Sequence, residues 1–278
     1  MTGVAVNERI AGTPIETALD DERERTILVS DLHIPSDGGR VFEMFRQLLA
    51  DASATPSTRL IVLGDMFDVY TGPKQGRVGV WRDTVEALAG TANAGVSITL
   101  LHGNRDFMLD TGFGRAASCR VVPGGIWIRL GDRRCLLLHG DELCQRDVPY
   151  QRAKRLLRNP LTRSVLRHLP LKLALHLAER ARNKSAAVIA SGDQTRFDPV
   201  ASALTEVFDG GADLLVFGHI HRPARGRFEG SAGEGHREYA ILPAFDVDGV
   251  HLVWEGSRLR FRAVDGRDVP DYPPREFC

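Results

Sequence analysis

Apolar residues along the chain fall into short unbroken runs, each stopped by Asp, His, Ser or Gly: Thr26–Ser30, Arg59–Leu63, Ile98–Leu101, Cys135–Leu138 and Leu214–Phe217. Runs of this length bounded by turn formers predict buried strands. Between the first three, apolar positions recur at helical spacing, with Val41, Phe45, Leu48 and Leu49 in Val41–Ala50 and Trp81, Val85 and Leu88 in Trp81–Ala89. Strand and helix in alternation predict a layered α/β sheet with helices on its faces. Ile126–Leu130 and Arg134–Leu138 flank Gly131-Asp132 and predict a hairpin. Tyr239–Phe245, Val250–Trp254 and Arg258–Val264 predict an antiparallel meander. The expected fold class is α/β, a two-sheet β-sandwich flanked by helices.

Two segments stand apart from this pattern. Residues 1–25 are polar and predict a flexible N-terminal extension to a domain spanning 26–278. From Pro149 to about residue 190 the spacing turns helical, with Asn159-Pro160 and Leu169-Pro170 as breaks, because proline disfavours helix in the residue before it and fits the first turn of the next. Two or three short helices are expected there, an inserted helical lid. The chain shows neither internal repeats nor low-complexity tracts.

Composition narrows the class. At 278 residues, 43% hydrophobic and 26% charged, the chain is neither disordered nor collagen-like. Lys+Arg and Asp+Glu are both 36, so the overall balance gives no reason to expect a nucleic-acid partner. The charge is nevertheless uneven, for the insertion carries ten Lys and Arg against one acid, Glu179. Beside those cations lie Leu156, Leu157, Leu161, Val165, Leu166, Leu169, Leu173 and Leu177. Such helices suit acyl chains and an anionic membrane surface, the alternative being an ordinary amphipathic pair packed on the sheet. Cys119, Cys135, Cys144 and Cys278 show no C-x-x-C spacing, which argues against a disulfide framework or zinc ribbon and fits a reducing cytosol. The first 25 residues hold no continuous apolar stretch of the secretory type, and the longest uncharged stretch, Ala87–Asn104, is too interrupted to span a membrane.

The chemistry gathers behind the strands. Ser30-Asp31-Leu32-His33, Gly64-Asp65, Gly103-Asn104-Arg105-Asp106, His139-Gly140-Asp141 and Gly218-His219-Ile220-His221 each follow a predicted strand. Ligands of α/β sheets bind beyond the carboxyl ends of strands, so residues far apart in sequence are expected to converge there. Asp31, His33, Asp65, Asn104, His139, His219 and His221 together offer carboxylate, amide oxygen and imidazole, a set suited to a hard divalent ion such as Mn²⁺. Asp65 is placed to bridge two ions about 3.5–4 Å apart, the spacing used in phosphoryl displacement. In Asp-x-His and His-x-His, alternate residues of an extended segment would share a face, and Gly64, Gly103, Gly140 and Gly218 would allow close backbone approach. Arg105, beside Asn104, is a candidate to neutralise charge on a phosphate oxygen. No G-x-S-x-G nucleophile motif is evident. Cys144 reads as a packed thiol, His102 as structural, and Trp81, Trp127 and Trp254 as core.

The ordered set resembles the calcineurin-like metallophosphoesterase superfamily over about Thr26 to Phe245. That resemblance implies one metal held by Asp31, His33, Asp65 and His221 and a second by Asp65, Asn104, His139 and His219. Many members carry His after the Asn, where this chain has Arg105. Gly103–Phe107, His139–Cys144, Asp147 with Tyr150-Gln151, and Gly218–Pro223 resemble the UDP-2,3-diacylglucosamine diphosphatases of lipid A biosynthesis, in which a helical lid follows the His-Gly-Asp motif. The resemblance implies a metal-dependent phosphohydrolase with two divalent ions, Mn²⁺ by expectation, Asp65, Asn104 and Arg105 as catalytic residues, and Arg105, Asp147, Tyr150 and Arg222 as substrate contacts. It further implies a lipid-linked nucleotide as substrate and a cytoplasmic enzyme peripheral to the inner membrane. Val69–Lys74 departs from the Trp and Gly-Asp-Asp usual there, and 185–199 lacks the usual Ser/Lys-rich character. A phosphoesterase acting on another nucleotide or diester, and a non-catalytic membrane or partner-binding scaffold, are the competing readings.

Overall fold

The computed structural model describes residues 8–18, 23–191, 194–229 and 237–277. Its strands are β1 (Glu8–Ile10), β2 (Thr13–Ala18), β3 (Arg25–Val29), β4 (Thr58–Val62), β5 (Ser97–Leu101), β6 (Arg120–Val122) and β7 (Gly125–Leu130). They continue with β8 (Arg133–Leu137), β9 (Leu214–Phe217), β10 (Ala224–Arg227), β11 (Glu238–Ile241), β12 (Val250–Glu255), β13 (Arg258–Ala263) and β14 (Asp268–Val269). The helices are α1 (Gly39–Ala54), α2 (Gly79–Asn93), α3 (Thr111–Ala116), α4 (Val148–Leu157), α5 (Pro160–His168), α6 (Leu171–Ser191), α7 (Ala201–Asp209) and α8 (Phe245–Asp248).

Two seven-stranded sheets face one another, in the orders β1-β2-β7-β8-β9-β11-β10 and β14-β13-β12-β3-β4-β5-β6. The parallel strands β3, β4 and β5 are buried along almost their whole length, with apolar residues in succession at Ile27–Val29, Leu60–Val62 and Leu100-Leu101, because both their faces are covered. Alternate residues go to opposite layers. Leu28, Ile61 and Leu101 meet Ile128, Leu137 and Val216 between the sheets, whereas Ile27, Leu60 and Leu100 pack outward on Phe45, Leu48 and Leu88 of α1 and α2. The outer face of the first sheet, with Trp127, Leu215 and Phe217, is closed by Leu204, Val207 and Phe208 of α7. The architecture is therefore helix, sheet, sheet, helix.

The expected hairpin is β7–β8, with Leu130 opposite Arg133 and Gly131 in the left-handed region at φ 58°. Two expectations are corrected. Of the segment read as flexible, residues 8–18 form strands: β2 runs parallel to β7 with Ile15 beside Gly125, and β1 folds back on it. The edge of β7 offers unpaired backbone groups, and Ile10 and Ile15 are buried against the α7 layer, which supplies the apolar contact that the polar composition concealed. The expected C-terminal meander is split. Glu238–Ile241 lies in the first sheet, parallel to β9 and antiparallel to β10, and only β12 and β13 pair as expected, in the second sheet. An apolar run of four residues fits either sheet equally well, so its spacing carried no information on its partner.

The inserted helices begin and break where the sequence indicates. The Asp147 carboxylate accepts from the Tyr150 N–H at 3.2 Å, and the Asn159 side chain accepts from the Leu161 N–H at 2.9 Å, each with proline in the first turn that follows. No described helix is long and apolar enough to cross a membrane.

Candidate metal centre

All five polar clusters converge at one edge of the sandwich. Asp31, His33, Asp65 and Asn104 come from the loops after β3, β4 and β5 of one sheet, and His139, His219 and His221 from those after β8 and β9 of the other. His221 Nε2 lies 3.1 Å from Asp31 Oδ1, and His33 Nε2 lies 3.4 Å from Asp65 Oδ2. Asn104 Oδ1 sits between His139 Nε2 at 3.0 Å and His219 Nδ1 at 3.1 Å. Donor atoms of Asp31, His33 and His221, and of Asp31, Asp65 and His139, lie within 4.8 Å of one another.

The backbone here is not the extended ribbon that the alternation suggested. Among the described residues nine other than Gly have positive φ, and five of them are Asp31, His33, Asp65, His219 and His221. Each chain leaves its strand and turns through the left-handed region, which costs a non-Gly residue of order 1–3 kcal/mol and persists only where the surroundings enforce it. Asp-x-His and His-x-His thus converge by turning rather than by sharing a strand face. The expected close approaches are present: a Cβ on Gly103 would lie 2.1 Å from Asp65 Oδ1, and one on Gly218 would lie 2.3 Å from Asp31 Oδ2.

The electrostatics suit cation capture. Burial raises the Asp31 carboxyl, but its hydrogen bond with His221 and the charges of His139, His221 and His33 outweigh this and hold it far below the usual carboxylate range. Asp65 is likewise held low against its burial, by His139 and His33. Burial lowers His33, yet its hydrogen bond with Asp246 and the nearby Asp65 carboxylate push it up to about 9. His219 is lowered to about 4 by burial and the neighbouring His139, so its ring is neutral and has a lone pair to donate. His33 Nε2 is buried without a hydrogen-bond partner while facing two carboxylates. A buried acidic pair with an unpartnered imidazole nitrogen aimed at it fits divalent cations bound by nitrogen and oxygen donors.

Several positioning groups were not legible in the sequence. Asp246 Oδ2 holds His33 Nδ1 at 2.9 Å, and the Leu63 carbonyl holds His139 Nδ1 at 2.8 Å, which fixes which ring nitrogen faces the centre. Asp106 accepts from the Gly103 and Met66 N–H groups, each at 2.8 Å; burial and the Asp65 charge raise it to about 6. Asp246 lies 213 residues from its partner, and no spacing links them.

The candidate substrate contacts divide. Arg105 is at the centre: its N–H donates to Asp65 Oδ1 at 2.9 Å and its Nε lies 3.3 Å from Asp65 Oδ2. Tyr150 stacks on His219 at 6.3 Å between ring centroids and donates its hydroxyl to Asp141. Asp147 caps α4 and accepts from Arg196 Nε at 3.1 Å. Arg222 is paired with Asp198 at 3.2 Å on the exposed rim. Cys144 is a buried thiol, and His102 donates to or accepts from nothing in the centre, its Nε2 being 2.8 Å from the Leu109 carbonyl.

Two sheets whose strand ends gather carboxylates, imidazoles and one amide around a buried pair of acids define a phosphoesterase of the dinuclear-metal type. A model of the calcineurin-like phosphoesterases matches residues 24–223, and the chain belongs to that family. Among curated proteins, the UDP-2,3-diacylglucosamine hydrolase of Pseudomonas syringae pv. tomato is 38% identical over 240 residues, 86% of this chain and 95% of the relative. That of Pseudomonas aeruginosa is 38% identical over 199 residues, 71% of this chain and 82% of the relative. Among solved structures, a cold-active protein-tyrosine phosphatase of a Shewanella species aligns with a TM-score of 0.46 at 15% identity, covering 91% of this chain and 81% of that one.

Proposed function

We propose that the protein hydrolyses the pyrophosphate of UDP-2,3-diacylglucosamine to UMP and 2,3-diacylglucosamine 1-phosphate, with two divalent ions, Mn²⁺ by the chemistry of the donors. The observation that carries the reading is the convergence of the seven donors with Arg105 against Asp65, supported by the 38% identity to a curated hydrolase of that name. Asp31, His33, Asp65 and His221 would hold one ion, and Asp65, Asn104, His139 and His219 the other. Such ions, when bound, lower the pKa of a coordinated water and neutralise phosphoryl oxygens. Asp65 would be the ligand common to both sets, and Asn104 aligns its amide oxygen with two imidazoles. Arg105 presents a guanidinium to the charge that grows on phosphate as the bridging P–O bond breaks. Tyr150 forms the wall on the lid side.

The helical insertion serves as the acyl-chain lid and as a contact with the cytoplasmic face of the inner membrane. Supporting this, Val148, Leu156, Leu161, Val165, Leu173 and Leu177 are exposed on it. Exposed apolar rows of this kind suit a lipid boundary.

The test is UMP release from UDP-2,3-diacylglucosamine with Mn²⁺, with EDTA, and in the Asp65→Asn variant. Metal-dependent release abolished by Asp65→Asn is expected. Hydrolysis of a water-soluble diester without UMP release would keep the centre and reject the lipid nucleotide. Vesicle binding with neither activity would favour the scaffold reading.

A further inference from the structure

Both oxygens of the Asp68 carboxylate are engaged by arginines from different parts of the molecule. Oδ1 accepts from Arg105 Nη1 at 2.8 Å, and Oδ2 accepts from Nη1 of Arg182, in the middle of α6. The Asp68 backbone is itself fixed, its N–H donating to the Ile34 carbonyl at 3.2 Å beside the bridge between Ile34 and Phe67. Arg105 is thereby held between two carboxylates, Nε on Asp65 and Nη1 on Asp68, and its Nη2 makes no hydrogen bond among the described residues. A second grip lies six residues on. Lys74 Nζ donates to the carbonyls of His168 at 3.1 Å and Leu169 at 2.9 Å, at the end of α5 where the chain turns into α6.

We infer that Asp68 is a positioning residue that couples the seating of α6 to the aim of the Arg105 guanidinium, an inference that rests on the reading above in which Arg105 meets the phosphate. A carboxylate facing a single arginine takes it through both oxygens in a fork. With Arg182 on Oδ2, Asp68 has only Oδ1 for Arg105, and Arg105 keeps its Nε on Asp65. When α6 lifts, Oδ2 is released, Asp68 takes Arg105 by both oxygens and draws Nε away from Asp65. All three side chains are about a third exposed, so the exchange of partners requires no charge to be buried afresh. Lys74 places the pivot at the α5–α6 corner, so movement of α6 is delivered to the Asp68 end.

The test measures Mn²⁺-dependent turnover of bis-p-nitrophenyl phosphate by Asp68→Asn, Arg105→Ala and the double variant. Asp68→Asn is expected to lower kcat about tenfold or more with KM and metal content unchanged, whereas in the Arg105→Ala background it costs less than about threefold. Amide exchange across 171–182 is expected to quicken in both Asp68→Asn and Arg182→Ala. Equal losses in both backgrounds, or exchange unchanged in both variants, would overturn the coupling. If the coupling is found but the wild-type protein releases no UMP from the lipid nucleotide, the substrate reading fails and the coupling stands.

Discussion

Asp31, His33, Asp65, His219 and His221 share an uncommon left-handed backbone, and this strain is what aims donors from separate loops at one point. The identity of these residues was legible because Asp and His beside Gly at strand ends are chemically distinctive. Their local geometry was not, since a two-residue spacing is compatible with a strand and with a turn alike. Asp246 and Asp68 were illegible altogether, being single carboxylates whose partners are remote in sequence. Asp246→Ala is expected to weaken metal binding about 10–100-fold by freeing the His33 ring, read by competition with a chelating dye. Proton linkage has a definite sign here. His33 is held protonated up to about 9, and the proton must leave before Nε2 can donate to a cation. Metal binding therefore tightens as pH rises from 7 towards 9, by up to about tenfold per unit for each proton displaced, and levels off above. Calorimetry in buffers of different ionisation heat should register the released proton; affinity independent of pH over that range would contradict it.

At the scale of elements, the apolar strands and the amphipathic helices α1 and α2 were legible because burial on one or both faces writes itself into the spacing. β2 was not. Of its six residues only Thr13 and Ile15 are buried, and its stability comes from the open edge of β7 rather than from its own pattern. Ile15 is fully buried in the α7 layer, so Ile15→Ala is expected to cost about 2–5 kcal/mol of unfolding free energy in urea. A loss below about 0.5 kcal/mol, the range of surface substitutions, would return the segment to a loose extension. The insertion illustrates the opposite case, its breaks being set by Asn-Pro and Leu-Pro pairs that local sterics dictate. What those helices do with their charge was hidden. Lys154 and Arg158 reach Asp141, Arg163 reaches the Leu109 carbonyl, Arg167 reaches Asp110 and Arg182 reaches Asp68, so at least five of the ten cations are turned to the protein.

For the whole molecule, a formal charge of zero conceals a polarised surface, but one less basic than the sequence implied. Arg152, Arg155, Lys172 and Arg180 remain exposed on the insertion beside the apolar row. The membrane contact proposed above would therefore depend on apolar insertion more than on charge. Leu161→Glu with Val165→Glu, at positions 79% and 65% exposed, is expected to abolish sedimentation with anionic vesicles while leaving turnover of a soluble diester within twofold. Binding lost in salt but retained in that variant would reverse the weighting. The distribution of donors between the sheets also orders events in time. A nascent chain that ends before Gly218 carries five of the seven donors and lacks His219 and His221. Strand β9, which delivers those two, follows the whole helical insertion. Neither of the proposed four-residue ligand sets is then complete until the insertion and β9 have both been made, so metal capture would wait on the synthesis of the insertion, and a chain ended before β9 would be released without a complete centre.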